Sequence, residues 1–241
     1  QWQADVALGA NAKPALVAFT EALANFTPPA DRIAWRDDIH AKEAAYAAPG
    51  EIEVVGDIDM AKVIQIFGEM VPDDAMLSSD AGTFGRWLHR YYRSNAPYTN
   101  LGPISGAMGY GVPGAIGAAI ADPNRQVYAW VGDGGFLMTG QEAAAIVQEE
   151  LPVKIIVCDN SAWGSIMVHQ QKRFGDWDFG TRLVSPDFAT LGRGYGMEAF
   201  TVTKTEEFAG ALKGAMDYDG PALIHLKLDL RDVSPYSGSA R

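Results

Sequence analysis

The spacing of hydrophobic residues changes part-way along the chain. Two early stretches, near residues 13–25 and 31–47, carry apolar residues at helical spacing. After Pro49-Gly50, short β-rich runs alternate with helical patterns instead. The early stretches are too short to bury a core of their own. We therefore predict a boundary here, with residues 1–48 as an appendage and residues 49–241 as the main domain.

The main domain is predicted to be an α/β fold. Its candidate strands cover residues 75–79, 127–131, 153–158 and 222–228. Its candidate helices cover residues 58–70, 108–121, 139–150, 188–194 and 205–216. Strands separated by helices predict a parallel sheet flanked by helices on both faces. Ligands of such sheets bind beyond the carboxyl ends of the strands, so the loops after these runs are the places to look for chemistry.

Composition narrows the classes of function. The net charge is −11, with 30 acidic and 19 basic residues, so the bulk surface is a poor partner for nucleic acid. No apolar stretch is long enough to span a membrane, which predicts no membrane partner. A single cysteine, Cys158, excludes an internal disulfide framework and favours a reducing compartment. We expect a cytoplasmic protein.

Two polar loops follow neighbouring candidate strands. The run Gly132-Asp133-Gly134-Gly135-Phe136 follows one strand, and Asp159-Asn160-Ser161-Ala162 follows the next. Asp133 and Asn160 are 27 positions apart, which one loop, one helix and one strand would fill in a right-handed crossover. Both side chains would then emerge at one edge of the sheet, where a carboxylate and an amide oxygen suit Mg²⁺ and a phosphorylated ligand. Taken alone, Gly-Asp-Gly-Gly is typical of a simple turn.

The conjunction of strand, Gly-Asp-Gly, helix, strand and Asn resembles the fingerprint of thiamine-diphosphate-dependent enzymes. That resemblance implies that Asp133, Asn160 and the backbone carbonyl of Ala162 bind Mg²⁺, and that Mg²⁺ holds the cofactor's diphosphate. The family often has Asn-Asn at the second site, whereas Asp159 occupies the first of these places here. The second Asn is the ligand, so the predicted metal site is unaffected.

Two further segments resemble the same family. Residues 105–113 resemble the acetolactate synthase group, which implies that Met108 supports the bent form of the cofactor and that Gly106 offers a carbonyl to its aminopyrimidine ring. Residues 79–84 resemble a segment that contacts the diphosphate. Both segments also allow a plain interpretation, as helix-start core and as a turn. The candidate cofactor-binding residues are Gly82, Thr83, Phe84, Gly106, Ala107, Met108, Gly132, Asp133, Gly134, Gly135, Asn160, Ala162, Trp163 and Gly164.

The resemblance also implies what surrounds this domain. Residues 1–48 resemble the tail of the family's middle domain. A pyrimidine-binding domain of the same or a neighbouring subunit would supply the glutamate that activates the cofactor, so no catalytic residue is assigned in this chain. A homodimer or homotetramer is expected, and the resemblance leaves FAD binding open.

The function implied is decarboxylation of a 2-oxo acid, followed by protonation of the product or its ligation to a second carbonyl. The alternative is a non-catalytic subunit that keeps the fold and binds the cofactor. A Rossmann-type nucleotide site is not supported, because no Gly-x-Gly-x-x-Gly follows a first strand with an acidic residue about twenty positions further on.

Other conspicuous residues have plainer interpretations. His169 is a candidate for substrate contact, although a structural role is favoured. His225 lies in an apolar strand, which favours a buried histidine with its hydrogen bonds satisfied. The aromatic and basic run from Trp87 to Arg93 favours helix packing or a subunit interface.

Overall fold

The computed structural model describes residues 3–48, 50, 52–175 and 177–235, so Pro49 at the predicted boundary and the last six residues of the predicted C-terminal tail lie outside the described part. The chain forms two compact units, Gln1–Tyr46 and Ala47–Arg241. The first unit contains helices α1 (Ala12–Ala22) and α2 (Ala30–Tyr46), and neither helix has a buried residue. All of the buried core described below belongs to the second unit.

The second unit is built on one six-stranded sheet with the order β2-β1-β3-β4-β6-β5. Every neighbouring pair of strands in it is parallel. The strands are β1 (Met76–Ser79), β2 (Asn100–Leu101), β3 (Val127–Gly132), β4 (Lys154–Asp159), β5 (Glu198–Val202) and β6 (Ala222–Lys227).

Helices cover both faces of the sheet, as the sequence predicts. The second unit's helices are α3 (Met60–Met70), α4 (Phe84–Tyr91), α5 (Gly111–Ala121), α6 (Asp133–Thr139), α7 (Ala143–Gln148), α8 (Gly164–Phe174), α9 (Phe188–Tyr195) and α10 (Phe208–Asp217). Successive residues of one strand point to opposite faces, so Tyr128 packs in the core under α3, α4 and α10, and Ala129 packs in the core under α5, α7 and α9. The predicted parallel α/β fold is confirmed.

The sequence patterns do not predict two of the six strands, β2 and β5. β2 has only two residues, which is too short for a periodic pattern to show. β5 lies at the edge of the sheet and alternates between buried and exposed positions, so it lacks the continuous apolar run of a central strand.

Two predicted helix starts are wrong. The helix predicted from residue 139 begins at Asp133, directly after β3, and a 3₁₀ turn at Gly140–Glu142 separates α6 from α7. Packing against Gly134 and Gly135 overrides their low helix propensity. The helix predicted from Met108 begins at Gly111, because Gly109 adopts a left-handed φ of 84° that ends the preceding turn.

No helix in the described ranges is long and apolar enough to cross a membrane.

Candidate functional site

A cavity of about 240 Å³ lies at the carboxyl edge of the sheet. After β1 the chain moves outward to β2, and it then returns to β3 on the other side of β1. The connections that leave β1 and β3 therefore diverge, which opens a crevice where ligands of parallel sheets bind. The cavity is lined by residues 81–84, Trp87, Gly106, Met108, Gly132, Asp133, Cys158, Asn160, 162–166, Leu228, Asp229, Asp232 and Val233.

The candidate residues meet in this cavity, with three exceptions. Ala107, Gly134 and Gly135 are absent from its lining. A Cβ on Gly134 would overlap the ring of Trp163, and one on Gly135 would overlap the carboxylate of Asp80. These two glycines therefore permit close packing behind the cavity wall.

The loops after β3 and β4 converge on the backbone of Ala162. Its N–H donates to Asp133 Oδ2 at 3.1 Å and to Asn160 Oδ1 at 3.2 Å. Gly132 pairs with Cys158 in the sheet, so the residues that follow these two strands emerge at the same level. The three predicted metal ligands thus lie around one amide group. The carbonyl of Ala162 accepts from Gly164 at 2.8 Å, which leaves one of its two lone pairs for another partner.

Asp133 is a buried carboxylate in an unfavourable environment. Its exposed fraction is 4%, and no cationic side chain of the described ranges forms an ion pair with it. The pKa of Asp133 is raised to about 7, mainly by burial and also by the neighbouring Asp159 carboxylate, while hydrogen bonds from Gly134 and Ala162 act to lower it. Burial also opposes the ionised form of Asp159, yet hydrogen bonds from His225, Ser185 and Ser161 hold its pKa below the usual range. A cation beside Asp133 would relieve both the desolvation and the repulsion.

The residues present fit Mg²⁺ with a bound diphosphate. Carboxylate, amide and carbonyl oxygens are the ligands that Mg²⁺ prefers, and phosphate oxygens commonly complete its shell. The first turns of α4 and α8 line the same cavity, at Phe84 and at Gly164 to Ile166. The amino end of a helix favours an anion. The cavity therefore combines a place for a cation with two positive helix ends for its anionic partner.

The close approach of three segments explains why residue 164 is a glycine. A Cβ there would lie 3.1 Å from Asn160 Nδ2, 3.1 Å from Thr83 Oγ1 and 2.6 Å from Val233 Cγ2. Any larger residue would push apart the loops that follow β1, β4 and β6.

Another part of the cavity lining is a loop that contains Met108. The Met108 side chain is 37% exposed, and Gly106 and Gly109 on either side have left-handed φ values of 67° and 84°. Asp80 Oδ2 accepts from the N–H of Gly109 and Asp80 Oδ1 accepts from that of Tyr110, both at 2.9 Å. Asp80 thus anchors the loop to the end of β1.

The sequence patterns did not identify Asp80 or residues 229–233 as parts of the site. Asp80 stood in a segment already singled out, directly after a strand, and its position was the available signal. By contrast, Asp229, Asp232 and Val233 carry no motif. They reach the cavity only because β6 ends beside β4 at the same edge of the sheet.

The other residues singled out in the sequence, His169, His225 and Trp87, differ in burial and in whether they line the cavity. His169 lies on α8 but is exposed and outside the cavity lining. His225 is 1% exposed, with Nε2 placed 2.9 Å from Asp159 Oδ2. Trp87 is buried in α4, lines the cavity and donates from Nε1 to the carbonyl of Asp232 at 3.2 Å. Trp87 also belongs to the core cluster that contains α3, which confirms helix packing for this residue.

Comparison with known proteins gives concordant results. Residues 80–226 match the family model described as "Thiamine pyrophosphate enzyme, C-terminal TPP binding domain". The acetolactate synthase large subunit of Porphyra purpurea is 32% identical over 203 residues, which is 83% of this chain and 34% of that protein. The isozyme 2 large subunit of acetolactate synthase from Escherichia coli is 30% identical over 208 residues, 85% of this chain and 35% of that protein.

A solved structure is also similar. The thiamine diphosphate-dependent 4-hydroxybenzoylformate decarboxylase of Rhodococcus jostii RHA1 superposes with a TM-score of 0.70 at 27% identity, covering 75% of this chain and 34% of that one. The chain thus spans about a third of the length of the relatives it matches.

Proposed function

Since the chain belongs to the thiamine pyrophosphate enzymes and contains their C-terminal cofactor-binding domain, we propose that it binds the diphosphate end of thiamine diphosphate through Mg²⁺. Asp133, Asn160 and the carbonyl of Ala162 are the proposed metal ligands. The observation that carries this proposal is the convergence of Asp133 and Asn160 on the N–H of Ala162, with the Asp133 carboxylate buried and without an ion pair among the described residues.

The proposed reaction is decarboxylation of a 2-oxo acid, with the product protonated or joined to a second carbonyl compound. When bound, the cofactor supplies a thiazolium carbon nucleophile and accepts the electrons released as CO₂ leaves. The chain's own residues would bind and orient the cofactor. Asp133 and Asn160 would hold the metal, the first turns of α4 and α8 would bind the diphosphate, and Met108, which lines the same cavity, would support the bent form of the cofactor.

Activation of the cofactor is proposed to need a residue outside this chain. Proton removal from the weakly acidic thiazolium carbon calls for a carboxyl group beside the aminopyrimidine ring. We propose that a pyrimidine-binding domain of the same or a neighbouring subunit supplies it, within a homodimer or homotetramer.

Titration of the intact protein tests this function. We expect calorimetry to show thiamine diphosphate binding that requires Mg²⁺, with no binding of NAD in a parallel titration. CO₂ release from a panel of 2-oxo acids then measures turnover. Mg²⁺-independent binding would refute the metal site, and cofactor binding without turnover of any 2-oxo acid would favour the non-catalytic alternative.

A separate experiment tests the proposal that a residue outside this chain activates the cofactor. Cofactor bound to the chain alone should exchange its thiazolium proton for deuterium near the rate of free cofactor, as followed by NMR. The intact oligomer should exchange it much faster. Fast exchange in the chain alone would mean that one of its own carboxylates activates the ring.

A further inference from the structure

The turn that presents Ala162 to Asp133 depends on one unusual residue. Ser161 has a left-handed φ of 54°, a conformation that costs a non-glycine residue free energy and persists only when its surroundings impose it. The turn places the N–H of Ala162 between Asp133 and Asn160. Whatever holds Ser161 therefore sets the geometry of the proposed metal site.

Asp159 is the main contact that holds Ser161. Its Oδ1 accepts from the N–H of Ser161 at 2.9 Å and from its hydroxyl at 3.2 Å. The carbonyl of Ser161 accepts from the N–H of Leu183 at 2.8 Å, so the residue is held at both of its peptide groups.

Asp159 is itself fixed from two other elements. Ser185, in the connection before α9, donates to Asp159 Oδ1 at 2.6 Å. His225, on the neighbouring strand β6, places Nε2 2.9 Å from Asp159 Oδ2. An ionised carboxylate only accepts hydrogen bonds, so Nε2 of the imidazole is the donor. None of the three residues lines the cavity.

We propose that Asp159, His225 and Ser185 form a positioning network that keeps Ser161 in its left-handed turn, and thereby keeps Asn160 and Ala162 arranged for the cofactor. The three side chains are positioning residues that act through Ser161, without contact to the ligand. The proposal rests on the proposed function, because the turn is taken to serve Mg²⁺ and the diphosphate.

Three variants of the intact protein test the network. His225→Leu removes the donor at similar volume, whereas His225→Gln retains an N–H donor. Ser185→Ala removes the second donor from a half-buried position. We expect His225→Leu and Ser185→Ala each to raise the dissociation constant of thiamine diphosphate at saturating Mg²⁺ about tenfold, and His225→Gln to restore most of the affinity.

The opposite end of the same strand offers a matched control. Lys154 begins β4, is 6% exposed and donates from Nζ to the carbonyls of Tyr218 and Gly220. Lys154→Met removes buried hydrogen bonds far from Ser161. We expect it to lower the melting temperature without changing the affinity for the cofactor.

Hydrogen exchange provides a readout that is independent of activity. In the cofactor-free His225→Leu and Ser185→Ala proteins, amides of residues 161–164 should exchange faster than in the parent, while β3 remains protected. His225→Gln should return exchange to the parent rate.

The outcomes separate this network from the function on which it rests. If the parent fails to bind thiamine diphosphate with Mg²⁺, the proposed function fails. If the parent binds but His225→Leu and Ser185→Ala bind equally well, the network is wrong. An equal loss of affinity in Lys154→Met would also overturn it, because general destabilisation would then explain the effect. Ser185→Ala alone decides the question if His225→Leu does not fold.

Discussion

Two parts of the cavity lining, which we call the Asp133 end and the Met108 end, are built in different ways. At one end Asp133, 4% exposed, and Asn160 share the amide of Ala162 between adjacent strands of the central sheet. At the other end Met108, 37% exposed, stands in a loop bounded by two left-handed glycines and anchored by Asp80. The carboxylates of both ends, Asp133 and Asp80, are 4% exposed, so the ends differ in what they bring to the cavity: buried oxygen ligands at one end, and a partly exposed methionine on a loop at the other.

This difference indicates two tasks. A metal ion needs ligands placed within a few tenths of an ångström, which central strands provide. A wall that shapes a flexible cofactor needs bulk in the right place and tolerates movement. Changes at the Asp133 end should therefore alter binding, and changes at the Met108 end should alter turnover.

Removing Asp133 should have the largest effect. We expect Asp133→Ala to weaken Mg²⁺-dependent binding of thiamine diphosphate about 100-fold or more, because the metal loses its charged ligand. Calorimetry of the intact protein measures this. Asp59→Ala is the control, since Asp59 is also a buried carboxylate, 8% exposed, but caps α3 away from the cavity. Binding as tight as that of the parent would refute the metal assignment.

The stability of the cofactor-free protein should depend on pH through the carboxyl group of Asp133. The pKa of Asp133 is raised above its unfolded value to about 7, so this group contributes stability below the unfolded pKa that is lost as the pH rises through 7. The melting temperature of the cofactor-free protein should therefore fall between pH 6 and pH 8, and Asp133→Asn should remove that slope.

Cofactor binding should depend on pH in the opposite direction. A proton on Asp133 competes with the cation, so affinity should drop about tenfold between pH 8 and pH 6. Identical slopes in the parent and in Asp133→Asn would assign the pH dependence to another group.

Asn160→Ala should have a smaller effect at the same end. It removes a neutral ligand that water can partly replace, and we expect about a fivefold loss of cofactor affinity with the Mg²⁺ requirement retained. A loss as large as that of Asp133→Ala would mean that Asn160 also shapes the turn at Ala162.

Met108→Ala should have the smallest effect on binding. We expect unchanged Mg²⁺ affinity and a turnover about threefold lower, since only packing against the cofactor is lost. Met138→Ala is the control, because Met138 is 48% exposed and outside the cavity lining. Unchanged turnover in Met108→Ala would remove this residue from the site and erase the contrast between the two ends.

Much of the fold and of the candidate site could be predicted from local sequence patterns. The four central strands carry apolar runs that are buried on both faces. Asp133 and Asn160 were found because glycine and polar residues follow such strands directly. Edge strand β5 and the early start of α6 were missed, since the first lacks a continuous apolar run and the second contradicts helix propensity.

The sequence by itself determined the parallel α/β class and the metal-site candidates, because hydrophobic period and strand-end polarity are local properties of the chain. The tertiary structure alone decided which side chains fix those candidates in place. Asp80 holds the Met108 loop, His225 reaches Asp159 across 66 positions, and Val233 closes the cavity beside Gly164. These contacts join residues far apart in sequence, and only the pairing of strands brings them to one edge of the sheet.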